Sequence, residues 1–482
     1  MINVLISEGK FEYDIHSLMK AFFTKDDVRV AENLEEYDFR IDYADGRIVF
    51  SKEGDFEKTI SVPKDVDTPT QKNLLKHLMY EALCEHTKKT LPWGDLTGIR
   101  PTKIPMKMLS EQKDDEEILK YMKDTYYISD EKGLLSIDIA KREKRILDAI
   151  HYENGYSLYI GIPFCPTTCL YCSFTSNPIF SWKKRVNEYL DCVIKELLFT
   201  KERFADKTLD TIYIGGGTPT TLEADELEKL LSAVDRCFDT KKLLEFTVEA
   251  GRADSITREK LEVLKKHNVT RISVNPQTMN QKTLDVIGRR HTVEDVYKAY
   301  ALSRELSFDN INMDIILGLP GEGPMEVQKT IDEIVGLKPD SLTVHSLAIK
   351  KGSRLNQWIE ENGYEAMINT DDTMAIAQKG AKRLGLNPYY LYRQKNMAGN
   401  FENVGYAREG AYGIYNILIM EEVQTIVACG AGTVTKRVDY SSNESGFFTD
   451  ARIERCDNVK DVALYIEKID EMIERKRNLF KD

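Results

Sequence analysis

Three cysteines within eight residues are the group in this sequence best suited to hold a metal centre. Cys165, Cys169 and Cys172 lie in the segment Cys-Pro-Thr-Thr-Cys-Leu-Tyr-Cys, directly after the apolar run 157–162. Thiolates spaced this closely can converge on one centre, and such soft ligands favour zinc or an iron–sulfur cluster. The chemistry to expect at this loop is therefore that of a thiolate-bound metal.

The number of ligands distinguishes the two kinds of centre. A [4Fe–4S] cluster normally takes four cysteines, so three cysteines leave one iron open for a small ligand. A structural zinc site would need a fourth cysteine or histidine, and none lies within ten residues on either side of the loop. Three packed thiols without a metal remain an alternative, but three cysteines in so short a loop favour the cluster.

The loop follows the first of six predicted β-strands. From Tyr156 the sequence alternates short apolar runs with segments of helical periodicity, which is typical of a parallel α/β arrangement. The predicted strands are 157–162, 210–215, 244–250, 270–276, 310–317 and 341–346. The first intervening helix, within 186–204, has one apolar stripe made of Val186, Leu190, Val193, Leu197 and Leu198. In such folds the chemistry gathers at the carboxyl ends of the strands.

Glycines and polar residues stand at the carboxyl ends of the other five predicted strands. In chain order they are Gly215-Gly-Gly-Thr-Pro-Thr220, Glu249, Gln277, Asp314 and His345. The glycines let the backbone approach a ligand and turn its N–H groups toward a carboxylate or carbonyl, although a tight turn also explains them. Each polar residue alone could be a satisfied core or rim group. Their corresponding positions together predict one shared binding mouth.

Length and charge limit the domain organisation and the partners. A chain of 482 residues is too long for one core, which predicts two or three domains. We expect an N-terminal α+β extension (1–150), a central α/β region (151–350) and a C-terminal region that covers the substrate (351–482). The net charge of −12 argues against broad binding of nucleic acids or anionic membranes. An acidic substrate would therefore need a local basic pocket.

The cysteine usage and the terminal sequence predict a cytoplasmic protein without a membrane span. No apolar run has transmembrane length, and the first residues lack the basic and apolar regions of a signal peptide. Eight cysteines spread over the chain are not a disulfide framework. Three of them committed to a cluster would also require reducing surroundings.

The N-terminal region has its own pattern of secondary structure. Alternating runs at 39–43 and 47–51 predict a small sheet with a turn at Gly46, and apolar residues at helical spacing predict a helix over 70–83.

Arginines and a lysine in the flanking regions are candidates for binding an anion. Arg100 and Lys103 would suit a rigid loop that faces an anion, or an ordinary interdomain turn. Arg393 and Arg408 stand among tyrosines in the last region. They could pair the carboxylates of a flat macrocycle, or they could belong to a plain sheet surface.

The cysteine spacing, with an aromatic residue before the last cysteine, resembles the signature of the radical S-adenosylmethionine (SAM) superfamily. The resemblance implies a [4Fe–4S] cluster whose open iron is chelated by the amino and carboxylate groups of SAM. One electron from the cluster would break the sulfonium and give a 5′-deoxyadenosyl radical. The implied fold is α/β, with a partial (β/α)6 TIM-like barrel between an N-terminal α+β domain and a C-terminal α+β extension.

Further motifs narrow the resemblance. Over residues 155–355 the chain resembles the oxygen-independent coproporphyrinogen III oxidase/dehydrogenase family, in its long variant with an N-terminal extension. The motifs that carry the resemblance are Tyr-Ile-Gly-Ile-Pro-Phe-Cys, GGGTPT, Glu249, Gln277, Arg289 and Asp314. They imply oxidative decarboxylation of coproporphyrinogen III to protoporphyrinogen IX in porphyrin and haem biosynthesis. The implied partners are a tetrapyrrole substrate and an electron donor such as flavodoxin or ferredoxin.

The resemblance also implies roles for individual residues. Those that would bind the cluster or SAM are Cys165, Cys169, Tyr171, Cys172, Gly216, Gly217, Thr218, Glu249, Gln277, Arg289 and Asp314. The cysteines would hold the cluster, and the Gly-Gly-Thr segment would contact the methionyl part of SAM. Glu249 would contact the ribose, and Tyr171 would lie close to the adenine. Tyr159, six residues before the first cysteine, matches an active-site tyrosine.

One position departs from the family pattern. The family segment reads Tyr-x-His-Ile-Pro-Phe-Cys, whereas this sequence has Gly161 at the histidine position. That histidine is important for turnover in the better-understood branch, so decarboxylation would need another proton-handling group, such as His345 or Tyr159. The alternatives are a haem carrier or insertion protein of the same fold group, and a radical SAM enzyme that methylates or opens haem.

Overall fold

The computed structural model describes residues 1–173, 176–350, 353–394, 397, 401–441 and 451–481. The chain divides into two compact units, of which one comprises Met1–Lys141 with Leu391–Glu402 and the other comprises Arg142–Tyr390 with Asn403–Asp482. The predicted division at 1–150, 151–350 and 351–482 stays a prediction. Among the described helices, none combines the length and the apolar composition that a bilayer span requires.

The first part of the chain forms a small sheet with helices. Its elements are β1 (Ile2–Ile6), α1 (Glu12–Phe22), β2 (Val28–Ala31), β3 (Phe39–Ala44), β4 (Arg47–Lys52), β5 (Phe56–Ser61), α2 (Thr68–Thr87), α3 (Lys103–Ser110), α4 (Asp115–Tyr126) and α5 (Asp130–Leu147). The sheet has the order β2-β1-β3-β4-β5. Strand β1 runs parallel to β2 and β3, and β3, β4 and β5 are antiparallel. This confirms the predicted α+β character of the N-terminal region.

The local sequence explains the predicted turn at Gly46 and the predicted helix over 70–83. Asp45 and Gly46 both have positive φ angles, 49° and 69°, which is typical of a two-residue hairpin turn of type I′. Helix α2 begins after Asp67, whose carboxylate accepts a hydrogen bond of 2.9 Å from the N–H of Thr70. The apolar residues of α2 then pack with the buried side chains of β1, β3 and β4 in one core.

The rest of the chain forms a large sheet with helices between its strands. Its elements are β6 (Gly155–Ile162), β7 (Phe164–Cys165), β8 (Asn177–Pro178), α6 (Ile179–Trp182), α7 (Val186–Arg203), β9 (Thr208–Gly216), α8 (Ala224–Cys237), β10 (Glu245–Glu249), α9 (Arg258–Lys266), β11 (Arg271–Ser273), α10 (Gln281–Val286), α11 (Val293–Glu305), β12 (Ile311–Leu317), α12 (Pro324–Leu337), β13 (Ser341–Ser346), α13 (Leu355–Asn362), α14 (Asp371–Arg383), β14 (Asn387–Tyr392), β15 (Asn403–Ala407), α15 (Ile414–Glu421), β16 (Thr425–Cys429), β17 (Val434–Asp439), β18 (Arg452–Asp457), α16 (Val462–Glu467) and α17 (Ile469–Leu479). Short 3-10 turns occur at Pro219–Thr221, Thr240–Lys242, Ala253–Ser255 and Tyr364–Ala366.

The large sheet has the strand order β14-β15-β13-β12-β11-β10-β9-β6-β16-β17-β18. The strands from β13 to β16 in this order are mutually parallel, and β15, β17 and β18 pair antiparallel. In the described part of the chain the edge strands β14 and β18 do not pair with each other, so the barrel is open. All six predicted strands are present, which confirms the partial barrel.

Strand β11 is shorter than the predicted 270–276. The chain leaves the sheet after Ser273 and pairs again only at Gln277, through a single bridge to Ile315. This detour places Gln277 at the mouth formed by the carboxyl ends of the parallel strands.

Side chains along the parallel strands alternate between an apolar and a polar face. On β6, Leu158, Ile160 and Ile162 are fully buried on one face. On the other face Ser157 accepts a hydrogen bond of 2.9 Å from the hydroxyl of Thr211. By strand register the polar face carries Ser157, Tyr159, Thr211, Tyr213, Glu245, Thr247, Glu249, Arg271, Ser273, Asn312, Asp314, Thr343 and His345. A parallel sheet covered by apolar layers on both faces would be apolar throughout, so this face serves another purpose.

Helix α7 packs beside β6 and β16. Four of the five residues in its predicted stripe are fully or almost fully buried, namely Val186, Leu190, Val193 and Leu197. Leu198 is 49% exposed, so its inclusion in the stripe was wrong. A residue directly after a buried one is rotated about 100° around the helix axis, which takes it out of the stripe.

A buried ion pair fixes the C-terminal helix to this core. Glu196 of α7 accepts hydrogen bonds from Lys476 of α17, from the hydroxyl of Tyr465, and from the N–H of Gly430 at 2.7 Å. Glu196 and Lys476 are both inaccessible to solvent. Burial lowers the pKa of Lys476, but Glu196, together with the thiols of Cys429 and Cys456, outweighs burial and raises the pKa overall. The turn after β16 is therefore held by a charged network.

We expect Glu196→Gln to release α17 and the turn at Gly430. The substitution leaves Lys476 buried without its counter-ion, and loss of one partner of a buried pair costs about 3–5 kcal/mol. Hydrogen exchange of the α17 amides and thermal unfolding measure the effect. Glu202→Gln, at an exposed position of the same helix, is the matched control, and Lys476→Met in the Glu196→Gln background should restore protection. Wild-type protection of α17 in Glu196→Gln alone would contradict this account.

Candidate functional site

The cysteine loop begins at the carboxyl end of β6. Strand β7 contains Cys165, which is 9% exposed, while Cys169 and Cys172 are partly exposed. The hydroxyl of Thr218, at the end of the glycine turn, lies 3.6 Å from the sulfur of Cys165. The structure therefore brings the first cysteine and the glycine turn together, as the sequence predicts.

Hydrogen bonds tie the loop to the segment after β10 and to the end of helix α10. The guanidinium of Arg252, after β10, donates to the hydroxyl and the carbonyl of Thr167 at 2.8 and 3.1 Å. Asp254 in turn accepts two hydrogen bonds from Arg252, at 2.9 and 2.7 Å. The N–H of Leu170 donates to the carbonyl of Ile287 at 3.0 Å. The segment after β10 and the carboxyl end of α10 therefore fix the path of the loop.

The donor set of the loop consists of three thiolates, the ligand type that holds an iron–sulfur cluster. Within the described ranges, no three His, Cys, Asp or Glu side chains converge on the distances of one metal ion. In a cubane each thiolate binds a different iron, so the three sulfurs are spaced more widely than the ligands of one ion. Three cysteines without a fourth protein ligand on the loop fit a cluster with one open iron.

The glycine turn packs its backbone against the cysteine strand. Gly216 has a φ of 107°, and a Cβ on Gly217 would come within 2.5 Å of the carbonyl oxygen of Phe164. The N–H groups of Gly217 and Thr218 donate to the carbonyls of Ile162 and Phe164, at 2.8 and 2.7 Å. The expectation that these N–H groups face a ligand was therefore wrong, because the neighbouring strand already uses them.

Glu249 stands at the carboxyl end of β10 on the polar face. Its carboxylate accepts a hydrogen bond of 2.6 Å from the hydroxyl of Tyr213, and another from the backbone of Gly216. Burial raises the pKa of Glu249 to about 7, and the nearby Asp314 adds to this shift. Gly215 makes room for the carboxylate, because a Cβ there would lie 3.0 Å from the carboxyl carbon. Near neutral pH this group can therefore accept or donate a hydrogen bond.

Asp314 and His345 meet on the neighbouring strands β12 and β13. The Nε2 atom of His345 lies 3.8 Å from the carboxylate of Asp314, and the amide of Asn312 donates to that carboxylate at 2.6 Å. Burial raises the pKa of Asp314, but His345, Asn312 and Thr343 outweigh burial and lower it overall. His345, predicted as a proton-handling group, therefore has a charged partner.

Gln277 and Arg289 shape the backbone of the mouth. Gln277 has a φ of 68°, an uncommon left-handed conformation for a residue other than glycine. Arg289 is buried and donates to the carbonyls of Asn275 and Gly251 at 2.7 and 3.1 Å. It also donates to the hydroxyl of Tyr171 at 3.2 Å. Arg289 therefore ties two strand ends to the tyrosine that precedes the last cysteine.

Three tyrosines form a cluster of nearly parallel rings below Glu249. The centroids of Tyr213 and Tyr415 are 4.5 Å apart, and those of Tyr159 are 6.1 Å from Tyr213 and 5.9 Å from Tyr415. Burial raises the pKa of all three hydroxyls, so they stay protonated at neutral pH. The sequence predicted a site role for Tyr159 but not for Tyr213 or Tyr415. Tyr213 was detectable, because it stands two residues before Gly215 on the polar face.

Gly161, at the position of the family histidine, has no room for a side chain. A Cβ there would lie 2.5 Å from the Cγ2 atom of Thr433. The carbonyl of Gly161 accepts a hydrogen bond of 2.7 Å from the hydroxyl of Tyr189. A Cβ on Gly430 would come within 2.5 Å of the same carbonyl. The turn after β16 therefore fills the space where a side chain at position 161 would begin.

The arginines of the flanking regions are engaged in structural contacts. Arg408 donates to Asp340 at 2.7 Å and to the carbonyl of Asp309 at 2.6 Å. In the other unit, Arg393 is buried over the ring of Trp93 and donates to the carbonyl of Leu96. Burial lowers the pKa of Arg393 to about 10. Their predicted role as partners of substrate carboxylates has no support from these contacts.

Arg100 and Lys103, the other predicted anion-binding candidates, lie at the start of α3. Both are partly buried. Their role at an anion site stays a prediction.

Comparison with known proteins identifies relatives of this arrangement. The family model described as the radical SAM superfamily matches residues 159–334, which span the strands from β6 to β12. The chain is 41% identical over 409 residues to the oxygen-independent coproporphyrinogen-III oxidase-like protein HemZ of Bacillus subtilis (strain 168). That match covers 84% of this chain and 80% of the relative.

The chain is also similar to a heme chaperone in sequence and to a coproporphyrinogen III oxidase in structure. Heme chaperone HemW of Bacillus subtilis (strain 168) is 37% identical over 195 residues, which cover 40% of this chain and 51% of that protein. The structure of coproporphyrinogen III oxidase (HemN) from Escherichia coli, described as a radical SAM enzyme, has a TM-score of 0.52 and 20% identity. It covers 69% of this chain and 72% of its own. This structural likeness supports the fold.

We expect Gly161→Ala to destabilise the protein and Thr433→Ser to restore its stability. The new Cβ would overlap the methyl group of Thr433, and overpacking of this kind costs about 1–3 kcal/mol. Serine removes that methyl and keeps the hydroxyl, which donates to the carbonyl of Gly430 at 2.8 Å. Thermal unfolding of both single variants and the double variant measures this. Failure of Thr433→Ser to rescue Gly161→Ala would show that another contact excludes the side chain.

The raised pKa of Glu249 predicts a pH-dependent contribution to stability. A carboxyl whose folded-state pKa lies above its ordinary value stabilises the fold below that value, and this stabilisation is lost as the pH rises through about 7. Glu249→Gln removes the titration. The unfolding temperature of the variant, relative to wild type, should therefore increase between about pH 5 and pH 8. Glu262→Gln, an exposed substitution on α9, is the control, and a pH-independent difference for Glu249→Gln would contradict the assignment.

Proposed function

Because the chain belongs to the family of oxygen-independent coproporphyrinogen III oxidase-like proteins within the radical SAM superfamily, we propose that it decarboxylates a tetrapyrrole oxidatively. The proposed reaction converts coproporphyrinogen III to protoporphyrinogen IX without oxygen. At each propionate that reacts, the 5′-deoxyadenosyl radical would take one hydrogen atom, carbon dioxide would leave, and one electron would pass to an electron acceptor, so that a vinyl group remains. The match to a relative of that name over most of both chains carries the proposal. The cofactors of the superfamily are a [4Fe–4S] cluster and SAM.

The residues proposed to hold these cofactors lie on the loop and around the mouth. Cys165, Cys169 and Cys172 would bind the cluster and leave one iron for SAM. When bound, the two cofactors supply a carbon radical that can remove a hydrogen atom from an unactivated carbon. The protein contributes binding, orientation and protection of that chemistry.

The polar face would orient the nucleoside of SAM. Glu249 is held by Tyr213 at 2.6 Å, and a carboxylate fixed in this way suits the diol of a ribose. The methionyl part of SAM would contact carbonyl and side-chain atoms of Gly216, Gly217 and Thr218. The N–H groups of Gly217 and Thr218 already donate to the carbonyls of Ile162 and Phe164. Gln277, Arg289 and Asp314 would complete the walls of the pocket, and Tyr171 would lie beside the adenine.

His345 is the proposed proton-handling residue. This chain has Gly161 at the position where the family has a histidine. Another histidine is the natural replacement, because imidazole is the side chain that ordinarily changes charge near neutral pH. The side chain of His345 is 28% exposed on the polar face, and Asp314 lies 3.8 Å away as its partner. The protonated hydroxyl of Tyr159 would donate a hydrogen bond within the same pocket.

A second candidate function is the binding of haem without turnover. Two observations favour it, namely the similarity to a heme chaperone over 195 residues and the filled space at Gly161. Under this alternative the cluster loop is kept, but the substrate carboxylates are not removed.

Anaerobic incubation of the reconstituted protein with SAM, a reductant and either coproporphyrinogen III or haem distinguishes these functions. We expect 5′-deoxyadenosine, carbon dioxide and a vinyl product from coproporphyrinogen III, because the three cysteines would leave one iron open for SAM and His345 would handle the proton. Mass spectrometry of the tetrapyrrole measures the product. Stoichiometric haem binding without carbon dioxide would contradict the proposal in favour of the carrier, and a methylated or opened haem would contradict both.

Cysteine variants provide the controls for this experiment. Replacement of Cys165, Cys169 or Cys172 by alanine should abolish formation of 5′-deoxyadenosine. Cys84→Ala, on α2, removes a thiol outside the loop and should leave the yield unchanged. A loop variant that lacks the cluster and still forms 5′-deoxyadenosine would rule out the assigned ligands.

A further inference from the structure

The segment that follows the cysteine loop is basic in an acidic chain. Residues 173–187 include Lys183, Lys184 and Arg185 but no aspartate or glutamate, although the chain as a whole carries a net charge of −12. Lys183 and Lys184 are exposed, and within the described residues neither forms an ion pair. Arg185 is paired with Glu188 at 2.9 Å. The two lysines therefore present uncompensated positive charge to a partner.

Backbone pairing brings this segment close to the first cysteine. Strand β8 runs parallel to β7, and the register places Pro178 opposite Cys165. Helix α6 begins at the next residue and carries Phe180, whose side chain is 72% exposed. The exposed ring of Phe180 is therefore two residues after Pro178, which pairs with the proposed cluster ligand Cys165.

An aromatic contact also links the surface segment to the interior. The ring of Trp182 lies 6.1 Å from that of Phe164, measured between centroids. Phe164 is fully buried and directly precedes Cys165 in the chain. The segment therefore offers a short route through packed atoms from the surface to the loop.

We propose that Phe180, Trp182, Lys183 and Lys184, here called the basic aromatic patch, form the docking surface for a small acidic flavoprotein that reduces the cluster. This inference rests on the proposed function, because it requires a redox-active cluster on the loop. In each delivery the flavin loses one electron and the cluster gains one, and no atoms are exchanged. Electron transfer weakens steeply with distance, so the donor must dock close to the loop.

The chemistry of the basic aromatic patch matches a flavoprotein in two respects. The lysines complement an acidic surface, which steers association and raises its rate. The exposed ring of Phe180 offers a stacking surface for the planar edge of a flavin. An iron–sulfur carrier would satisfy the charge but would leave this ring without a flat partner.

Stopped-flow reduction of the reconstituted holoprotein by reduced flavodoxin tests this assignment. In Lys183→Glu/Lys184→Glu the second-order rate constant should fall at least about tenfold and lose its dependence on ionic strength. Phe180→Ala should lower the rate while keeping that dependence. The matched control is Lys241→Glu/Lys242→Glu, an exposed pair in the turn before β10, at the opposite end of the parallel strands from the loop. All variants should be reduced by titanium(III) citrate at the wild-type rate.

Any of the following outcomes overturns the assignment of the docking surface. Wild-type rates with flavodoxin in Lys183→Glu/Lys184→Glu, or equal slowing in the control pair, would place the donor elsewhere. Loss of reduction by an acidic ferredoxin in Lys183→Glu/Lys184→Glu, with reduction by flavodoxin intact, would make the partner an iron–sulfur carrier. If no cluster assembles, or titanium(III) citrate fails to reduce it, the proposed function itself is wrong and the basic aromatic patch has no such role.

Discussion

Close backbone packing on both sides of β6 is the constraint on which the site depends. On one side a Cβ on Gly217 would come within 2.5 Å of the carbonyl of Phe164, and on the other a Cβ on Gly430 would come within 2.5 Å of the carbonyl of Gly161. Glycine is required at both places because no side chain fits. The start of the cysteine loop is thereby fixed between two strands, and the buried Glu196 network holds the outer turn in place.

The charged residues around the mouth have two different kinds of partner. The buried cations nearest the loop, Arg252 and Arg289, hold the loop and the carbonyls at the ends of strands. The acids Glu249 and Asp314 lie on the polar face with a tyrosine and a histidine as partners. Arginine therefore builds the framework here, and the acid on the polar face whose pKa burial raises to about 7 is Glu249. A tetrapyrrole with several carboxylates would need its cationic partners elsewhere.

Much of this arrangement could be predicted from the sequence because it depends on local patterns. Alternating apolar runs determine the six strands, and the ends of those strands locate Glu249, Asp314 and His345. Strand order alone makes β12 and β13, which carry Asp314 and His345, neighbours in the sheet. Two features could not be predicted, since both depend on residues distant in sequence. The contact between Thr433 and Gly161 needs the fold of the last 60 or so residues, and the use of the Gly217 and Thr218 N–H groups needs the register between β6 and β9.

Cys165, Cys169 and Cys172 are proposed to hold the cluster and to leave one iron for SAM. Electron–nuclear double resonance of the reduced cluster, with SAM labelled by ¹⁵N at its amino group, tests this claim most directly. The account predicts a nitrogen hyperfine coupling that appears with labelled SAM and disappears when SAM is omitted. A cluster signal that SAM does not change, without any ¹⁵N coupling, would mean that a protein side chain closes the fourth iron and would contradict the account.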